Sequence, residues 1–332
     1  MKILVAGGAG YVGSALVPKL VERGYDVMVV DLLWFGNNLP SGVPVVCKDL
    51  MEINPEELEG VDQVVFLGGL SNDPMAEYSP RKNFVSNAAA PAYLAYAAKR
   101  AGVRRFVYGG SCSVYGYAVD KLCDEEAPAA SRDPYGISKL QGEFAAMRMI
   151  SDAFSVIALR KGTICGFSPR MRFDLVVNAM FKTALTDGVI TVNNPAIWRP
   201  ILAVQDAVSA YIRAVECGLG VSGVFNIASG NYTLGEIADE VLRSLERRLK
   251  IEPKLAMRRD PGLRNYKVNC DRARDVLGFK PRHDVGAIVE ELCAHRDRFG
   301  DFSDERYSNI ATFMRLDEAP REPVLGGAAA LR

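Results

Sequence analysis

The glycines near the start of the chain constrain its fold more than any other feature. Lys2–Ala6 is a short apolar run that passes straight into Gly7-Gly8-Ala9-Gly10-Tyr11-Val12-Gly13, and helical spacing follows over Tyr11–Arg23. A glycine triplet alone is weak evidence, but one that joins a first strand to a first helix marks a dinucleotide-binding unit. The glycines allow a tight turn and close approach of a diphosphate to the backbone. The helix N-terminus aims unpaired N–H groups and the positive end of its dipole at that anion. Gly7, Gly10 and Gly13 give the spacing Gly-x-x-Gly-x-x-Gly, with Tyr11 and Val12 between the last two. Asp31 closes the next apolar run, Asp26–Asp31, 21 residues after Gly10. A carboxylate there accepts hydrogen bonds from the adenosine ribose hydroxyls and repels a 2′-phosphate. No Arg or Lys follows until Lys48, so NAD rather than NADP is the expected cofactor. Asp49, with Leu50 beside it, follows the third apolar run and is placed to meet the adenine amino group.

Further short apolar runs occupy Val43–Lys48, Gln63–Leu67, Arg105–Gly109 and Ser155–Arg160, with helical stretches at Asn83–Ala101 and Ser138–Ser151. Short apolar strands separated by helices predict a parallel sheet covered on both faces, the doubly wound α/β (Rossmann) class. Beyond that the texture changes. Gly162–Pro200 is rich in Gly, Pro, Asn and Arg, with helical spacing near Leu175–Leu185. Asp206–Glu216 is helix-like and Val224–Ala228 strand-like. Thr233 and Glu236 form a capping box ahead of a helix to Lys250, and Val285–Phe299 reads as the last long helix. The expected division is a cofactor domain over 1–165, rejoined by about 201–228, and a smaller, mixed C-terminal substrate domain from 166–200 and 229–315. Residues 316–332 read as a loose tail.

The second chemical motif is Asp133-Pro134-Tyr135-Gly136-Ile137-Ser138-Lys139. Tyr135 and Lys139 share a helix face at i and i+4. An ammonium beside a phenol favours the phenolate and lowers its pKa from about 10, which suits Tyr135 to take a proton from a substrate hydroxyl. Ser111 and Ser113 stand at the end of the fifth strand, in Tyr108-Gly109-Gly110-Ser111-Cys112-Ser113-Val114-Tyr115-Gly116. Sheets of this class place chemistry at that carboxyl edge. Ser111 is positioned to share the substrate proton with Tyr135. Leu67, Gly68 and Gly69, at the end of strand four, are small enough to let a cofactor pass.

Lys plus Arg and Asp plus Glu each total 40, for a net charge of zero. That balance argues against a nucleic-acid binder and against a polybasic membrane-surface protein. No apolar stretch is long enough to span a membrane. The seven cysteines are scattered without a C-x-x-C pair, and there are two histidines, His283 and His295. Neither a metal site nor a disulfide framework is expected, and the expected location is cytoplasmic.

Together these motifs resemble the extended short-chain dehydrogenase/reductase family, in its nucleotide-sugar epimerase and dehydratase group, over about residues 1–315. Gly7, Gly10, Gly13 and Asp31 match the cofactor loop and ribose acid, and Asn87 an Asn of the fourth helix. Ser111, Tyr135 and Lys139 match the catalytic triad. Arg199, in Trp198-Arg199-Pro200, and the segment from Arg258 to Arg264 resemble stretches whose basic residues meet the substrate diphosphate. Leu277-Gly278-Phe279 matches a C-terminal signature. The resemblance implies NAD, a nucleotide-diphosphate sugar as substrate, and a homodimer paired through the Tyr-Lys helix and the long helix before it.

Departures from the family pattern bear on the reaction. The 4,6-dehydratases resemble Thr-Asp-Glu at the strand end, where this chain has Ser111, Cys112 and Ser113. Neither a thiol nor a serine replaces a carboxylic acid that must protonate a leaving hydroxide. The 4-epimerases resemble Ser-x-x-Val-Tyr-Gly, which Ser111–Gly116 fits. Thr163 stands where the family commonly has an Asn near the substrate. Cys112 is one residue away from a cysteine position used by some 3,5-epimerases, so it is expected to point away from the sugar. The basic Ser168–Arg172 loop fits a wall of the sugar pocket and a solvated turn equally well. The expected function is an NAD-dependent nucleotide-sugar epimerase that oxidises the sugar transiently at C4. A 4-dehydrogenase with net oxidation is the nearest alternative. A 3,5-epimerase or 4,6-dehydratase follows, and a non-catalytic NAD-sensing scaffold is the reading from a different class.

Overall fold

The computed structural model describes residues 1–258 and 264–318. The chain opens β1 (Lys2–Ala6), α1 (Gly13–Glu22), β2 (Asp26–Asp31), β3 (Val45–Cys47) and β4 (Gln63–Phe66). Then come α2 (Asp73–Tyr78), α3 (Pro80–Phe84), α4 (Ala90–Arg100), β5 (Arg105–Ser111), β6 (Tyr117–Cys123) and α5 (Pro134–Met147). The middle of the chain carries β7 (Ser155–Lys161), β8 (Thr163–Cys165), α6 (Val176–Thr186), β9 (Val189–Asn193), β10 (Trp198–Ala203), α7 (Val204–Glu216) and β11 (Gly223–Ile227). The rest is β12 (Gly230–Thr233), α8 (Leu234–Leu249), β13 (Lys254–Arg258), β14 (Asn265–Val268), α9 (Asp271–Leu277), α10 (Val285–Ala294) and α11 (Asn309–Glu318).

Seven strands form one parallel sheet in the order β11-β7-β5-β4-β1-β2-β3. The central strands β4 and β5 are buried along their whole length, as a sheet covered on both faces requires. One apolar core packs α1 and α7 against one face through Leu16, Val17, Leu20, Ala207 and Tyr211. A second packs α4 against the other through Leu94, Ala95 and Ala98. Sequence order reverses between β1 and β4, so the loops after these two strands diverge and leave a crevice.

Smaller sheets lie beyond this one: β12-β10-β8, β13-β9 and β14-β6. The capping box forms as the sequence indicates: Thr233 Oγ1 accepts from Glu236 N at 3.1 Å, and the Glu236 carboxylate accepts from Thr233 N at 2.7 Å.

Three elements depart from the sequence expectation. The helix expected over Asn83–Ala101 is interrupted by a π-helical turn, Val85–Ala89, where Asn87 Nδ2 donates to the Leu70 carbonyl at 2.9 Å and to Asn83 Oδ1 at 2.7 Å. The helix that carries Tyr135 and Lys139 begins at Pro134 rather than Ser138, because proline is preorganised for the first helical turn. The expected tail at 316–332 overlaps a helix: α11 runs to Glu318, held by Phe313 packed on Leu70 and Met75 and by a Lys82–Asp317 ion pair. Residues 319–332 of that expected tail, and 259–263 of the Arg258–Arg264 segment, lie outside the described residues.

Candidate active site

The crevice deepens into a cavity of about 910 Å³, at the upper end of the range for ligand sites. Its cofactor end starts at the glycine loop. Gly7 has φ +77°, and a Cβ there would lie 2.5 Å from Gly68 N, so the loop after β1 and the loop after β4 touch backbone to backbone. A Cβ on Gly13 would lie 2.3 Å from the Gly8 carbonyl oxygen. These two glycines let α1 begin directly over the end of β1, with Gly10, Tyr11 and Val12 on the cavity wall. Asp31 holds the loop from the other side, accepting from Ala9 N at 3.0 Å and Leu33 N at 2.8 Å. Burial raises its pKa against those two hydrogen bonds. Asp49 caps a short turn by accepting from Met51 N at 2.9 Å, and it lines the cavity with Leu50, Leu67, Gly68 and Gly69. A tight backbone cradle at a helix N-terminus, with a carboxylate at the end of β2, fits an adenine dinucleotide. Asn87 is not on the cavity wall; it holds the Gly69–Leu70 turn from behind.

At the centre of the cavity, α5 presents Tyr135 and Lys139, and the end of β5 presents Ser111 and Ser113. Ser111 Oγ donates to Ser113 Oγ at 3.0 Å, and the Ser111 hydroxyl lies close enough to the Tyr135 phenol to favour its phenolate. Lys139 Nζ donates to the Gly109 carbonyl at 3.2 Å. Burial dominates and pushes Tyr135 up to about 12. The Ser111 hydroxyl, Arg264 and Arg172 oppose that rise, and Asp73 adds to it. Burial, with Lys161 nearby, takes Lys139 down to about 7. Lys161, at the end of β7, is itself pushed down to about 8 by burial and bonds the Tyr211 hydroxyl at 3.0 Å.

The far end of the cavity gathers Thr163 from β8, Thr191 and Asn193 from β9, Arg199 from β10 and Arg264. Arg199 Nη1 donates to the Trp198 and Arg264 carbonyls. Arg264 is ion-paired with Asp73 and lies 4.0 Å from Asp133. Asp73 is one of the residues that sequence reasoning missed. Lys161 and Asn309 are others, all on the cavity wall, where Arg170 and Arg172 of the Ser168–Arg172 loop also lie. The Arg170–Arg172 loop is not a solvated turn: both arginines are buried, and Arg172 pairs with Asp174 at 2.8 Å.

Cys112 is fully buried, with Sγ 3.1 Å from the Arg160 carbonyl and its thiol pKa raised well above the usual value by burial. It faces away from the cavity, as expected. Behind the strand end, Arg160 pairs with Glu143 at 2.7 Å and donates to the Tyr115 hydroxyl at 2.8 Å. This buried network fixes α5 against β5 and β7. Among the described residues no cluster suits a metal ion, and no helix is long and apolar enough to cross a membrane.

A glycine cradle and a Tyr-Lys helix meeting on one cavity lead to a single comparison. The model of the NAD dependent epimerase/dehydratase family matches residues 3–228. The chain belongs to that family. NAD is accordingly its cofactor. A UDP-glucose 4-epimerase of Lactobacillus helveticus is 27% identical, over 86% of this chain and 93% of that enzyme. A UDP-glucuronic acid decarboxylase 4 of Arabidopsis thaliana is 29% identical, over 85% of this chain and 65% of that one. Among solved structures, MoeE5 in complex with UDP-glucuronic acid and NAD superposes with a TM-score of 0.79 at 27% identity, over 90% of this chain and 99% of MoeE5. Relatives at similar identity thus carry different reactions, and the residues of the site have to decide between them.

Proposed function

We propose that this family member is a nucleotide-sugar 4-epimerase, most directly one acting on a UDP-sugar. The observation that carries the reading is the set of groups around the reacting position. Tyr135, Ser111 and Lys139 converge there, while Cys112 is buried behind the strand and Ser113 offers only a hydroxyl. Asp73, the carboxylate that acts on Tyr135, is engaged by Arg264. Among the described residues no free acid is aimed at a leaving hydroxide, so elimination of water is disfavoured. The named substrates of the relatives and of MoeE5 support a UDP-sugar.

In this mechanism Gly7, Gly10, Tyr11, Val12 and Gly13 hold the cofactor diphosphate. Asp31 takes the adenosine ribose, and Asp49 and Leu50 the adenine. Leu67, Gly68 and Gly69 leave room for the dinucleotide to cross the sheet edge. NAD, when bound, supplies a reversible acceptor for the hydrogen on the sugar carbon. Tyr135 takes the hydroxyl proton at C4, and Ser111 holds the same oxygen. Lys139 holds the nicotinamide ribose and keeps positive charge near the phenolate. Thr163 and Ser113 line the sugar. Arg199 and Arg264 meet the substrate diphosphate, Arg264 keeping its pair with Asp73. After the 4-keto sugar turns over, Tyr135 returns its proton to the alkoxide formed on the opposite face. Exposed Tyr96 on α4 and Phe144 on α5, 50% and 61% accessible, support a homodimer paired through those two helices.

The test is to incubate the enzyme with UDP-glucose and UDP-glucuronic acid and follow the products by NMR. Conversion of one of them to its C4 epimer is expected. Loss of water or of carbon dioxide, or NADH released with every turnover, would replace this reading with one of the alternatives.

A further inference from the structure

Ser14, in the first turn of α1, ties the distant 166–172 segment to the glycine loop. Its Oγ accepts from Arg170 N at 3.2 Å and meets the Ser168 hydroxyl at 2.8 Å, and Ser168 donates to the Tyr11 carbonyl at 2.6 Å. This anchoring carries the Arg170 side chain over the loop that follows β2. Its guanidinium lies 3.5 Å from the Phe35 ring centroid, and Nη2 donates to Asn309 Oδ1 at 2.5 Å. The residue is 3% exposed, and Nε has no partner. Among the described residues no carboxylate forms an ion pair with it. It lines the cavity beside Gly10, Val12 and Asp31.

Asp174 and Asp31 attract the guanidinium only from beyond ion-pair distance, and a buried guanidinium with an unpaired Nε and no direct ion pair is costly unless an anion offsets it. The neighbours narrow which anion. Gly10–Val12 lie at the helix N-terminus that attracts a diphosphate, and Asp31 repels any phosphate on the ribose 2′ position. We propose that Arg170 is a cofactor-binding residue that grips the diphosphate of NAD from the side opposite the glycine loop, seated there by Phe35 and Asn309. The planar fork suits two phosphate oxygens, and stacking on Phe35 fixes its plane. Asn309 opens α11, so the C-terminal helix becomes part of the cofactor site. The inference uses NAD dependence alone and stands whether or not the epimerase reading does.

The test measures binding of NAD, ADP-ribose and adenosine by calorimetry to the full chain stripped of nucleotide. Adenosine lacks the diphosphate, so it separates a phosphate grip from general packing. Arg170→Met is expected to weaken NAD and ADP-ribose about 10- to 100-fold, as loss of charge-assisted hydrogen bonds predicts, and to leave adenosine unchanged. Asn309→Ala should weaken the same two ligands by less. Equal losses on all three ligands would assign Arg170 to packing. No loss on NAD and ADP-ribose would also overturn the proposal. Should Arg170→Met not fold, Arg170→Lys keeps the charge without the fork: a several-fold loss on NAD and ADP-ribose with adenosine unchanged supports the grip, and unchanged affinity contradicts it.

Discussion

Lys139 Nζ bonds the Gly109 carbonyl at 3.2 Å, and Lys161 lies against that same glycine, close enough that a Cβ there would come within 2.9 Å of its Nζ. Two buried ammonium groups thus share the floor of the site. Burial, aided by this second charge, holds Lys139 at about 7. A lysine depressed in the folded state destabilises it fully below its folded pKa, and the penalty vanishes above the unfolded value. Stability of the nucleotide-free protein should therefore rise as pH increases from about 7 to 9. Lys161→Met should flatten that rise and move the Lys139 titration upward. Melting temperature against pH checks this, and parallel curves for the two proteins would contradict it.

Ser111 is the neighbour that most opposes the effect of burial on Tyr135. Ser111→Ala should raise the phenol further and lower kcat about 10- to 100-fold, the cost of one hydrogen bond to a charged group. Tyr135→Phe removes the proton acceptor and should cost about 10²- to 10⁴-fold. NAD affinity, measured by calorimetry, should change little in either variant.

Asp73 raises the Tyr135 pKa and holds Arg264. Asp73→Asn removes that negative charge and favours the phenolate. The acid limb of the kcat profile should move to lower pH, whereas a shift to higher pH would show that Arg264 needs Asp73 to stay near the tyrosine.

Gly7 has φ +77° and no room for a Cβ. Gly7→Ala should lower stability by about 1–3 kcal/mol through backbone strain, with loss of NAD binding. Thermal denaturation with and without NAD measures both effects.

The sequence was most legible where chemistry sits on contiguous residues. The loop from Gly7 to Gly13 and the pair Tyr135 and Lys139 have fixed spacing on one local element, so their placement follows from the turn and the helix. The π-helical turn at Val85–Ala89 left no local signal, because a side chain reaching Leu70 goes with it. Arg170 and Asn309 are 139 residues apart, and Arg264 and Asp73 are 191 apart. Such partners meet only through tertiary packing. The charge state of Tyr135 rests on the same packing: i, i+4 spacing gives proximity to Lys139, while burial, Asp73 and Arg264 act on the phenol from other elements.

The central claim is transient oxidation at C4, and a substrate carrying deuterium on that carbon tests it most directly. The account predicts that the product has inverted configuration at C4 and keeps the deuterium there, with none released to solvent. Deuterium found in released NADH, or lost while C4 keeps its configuration, would contradict it.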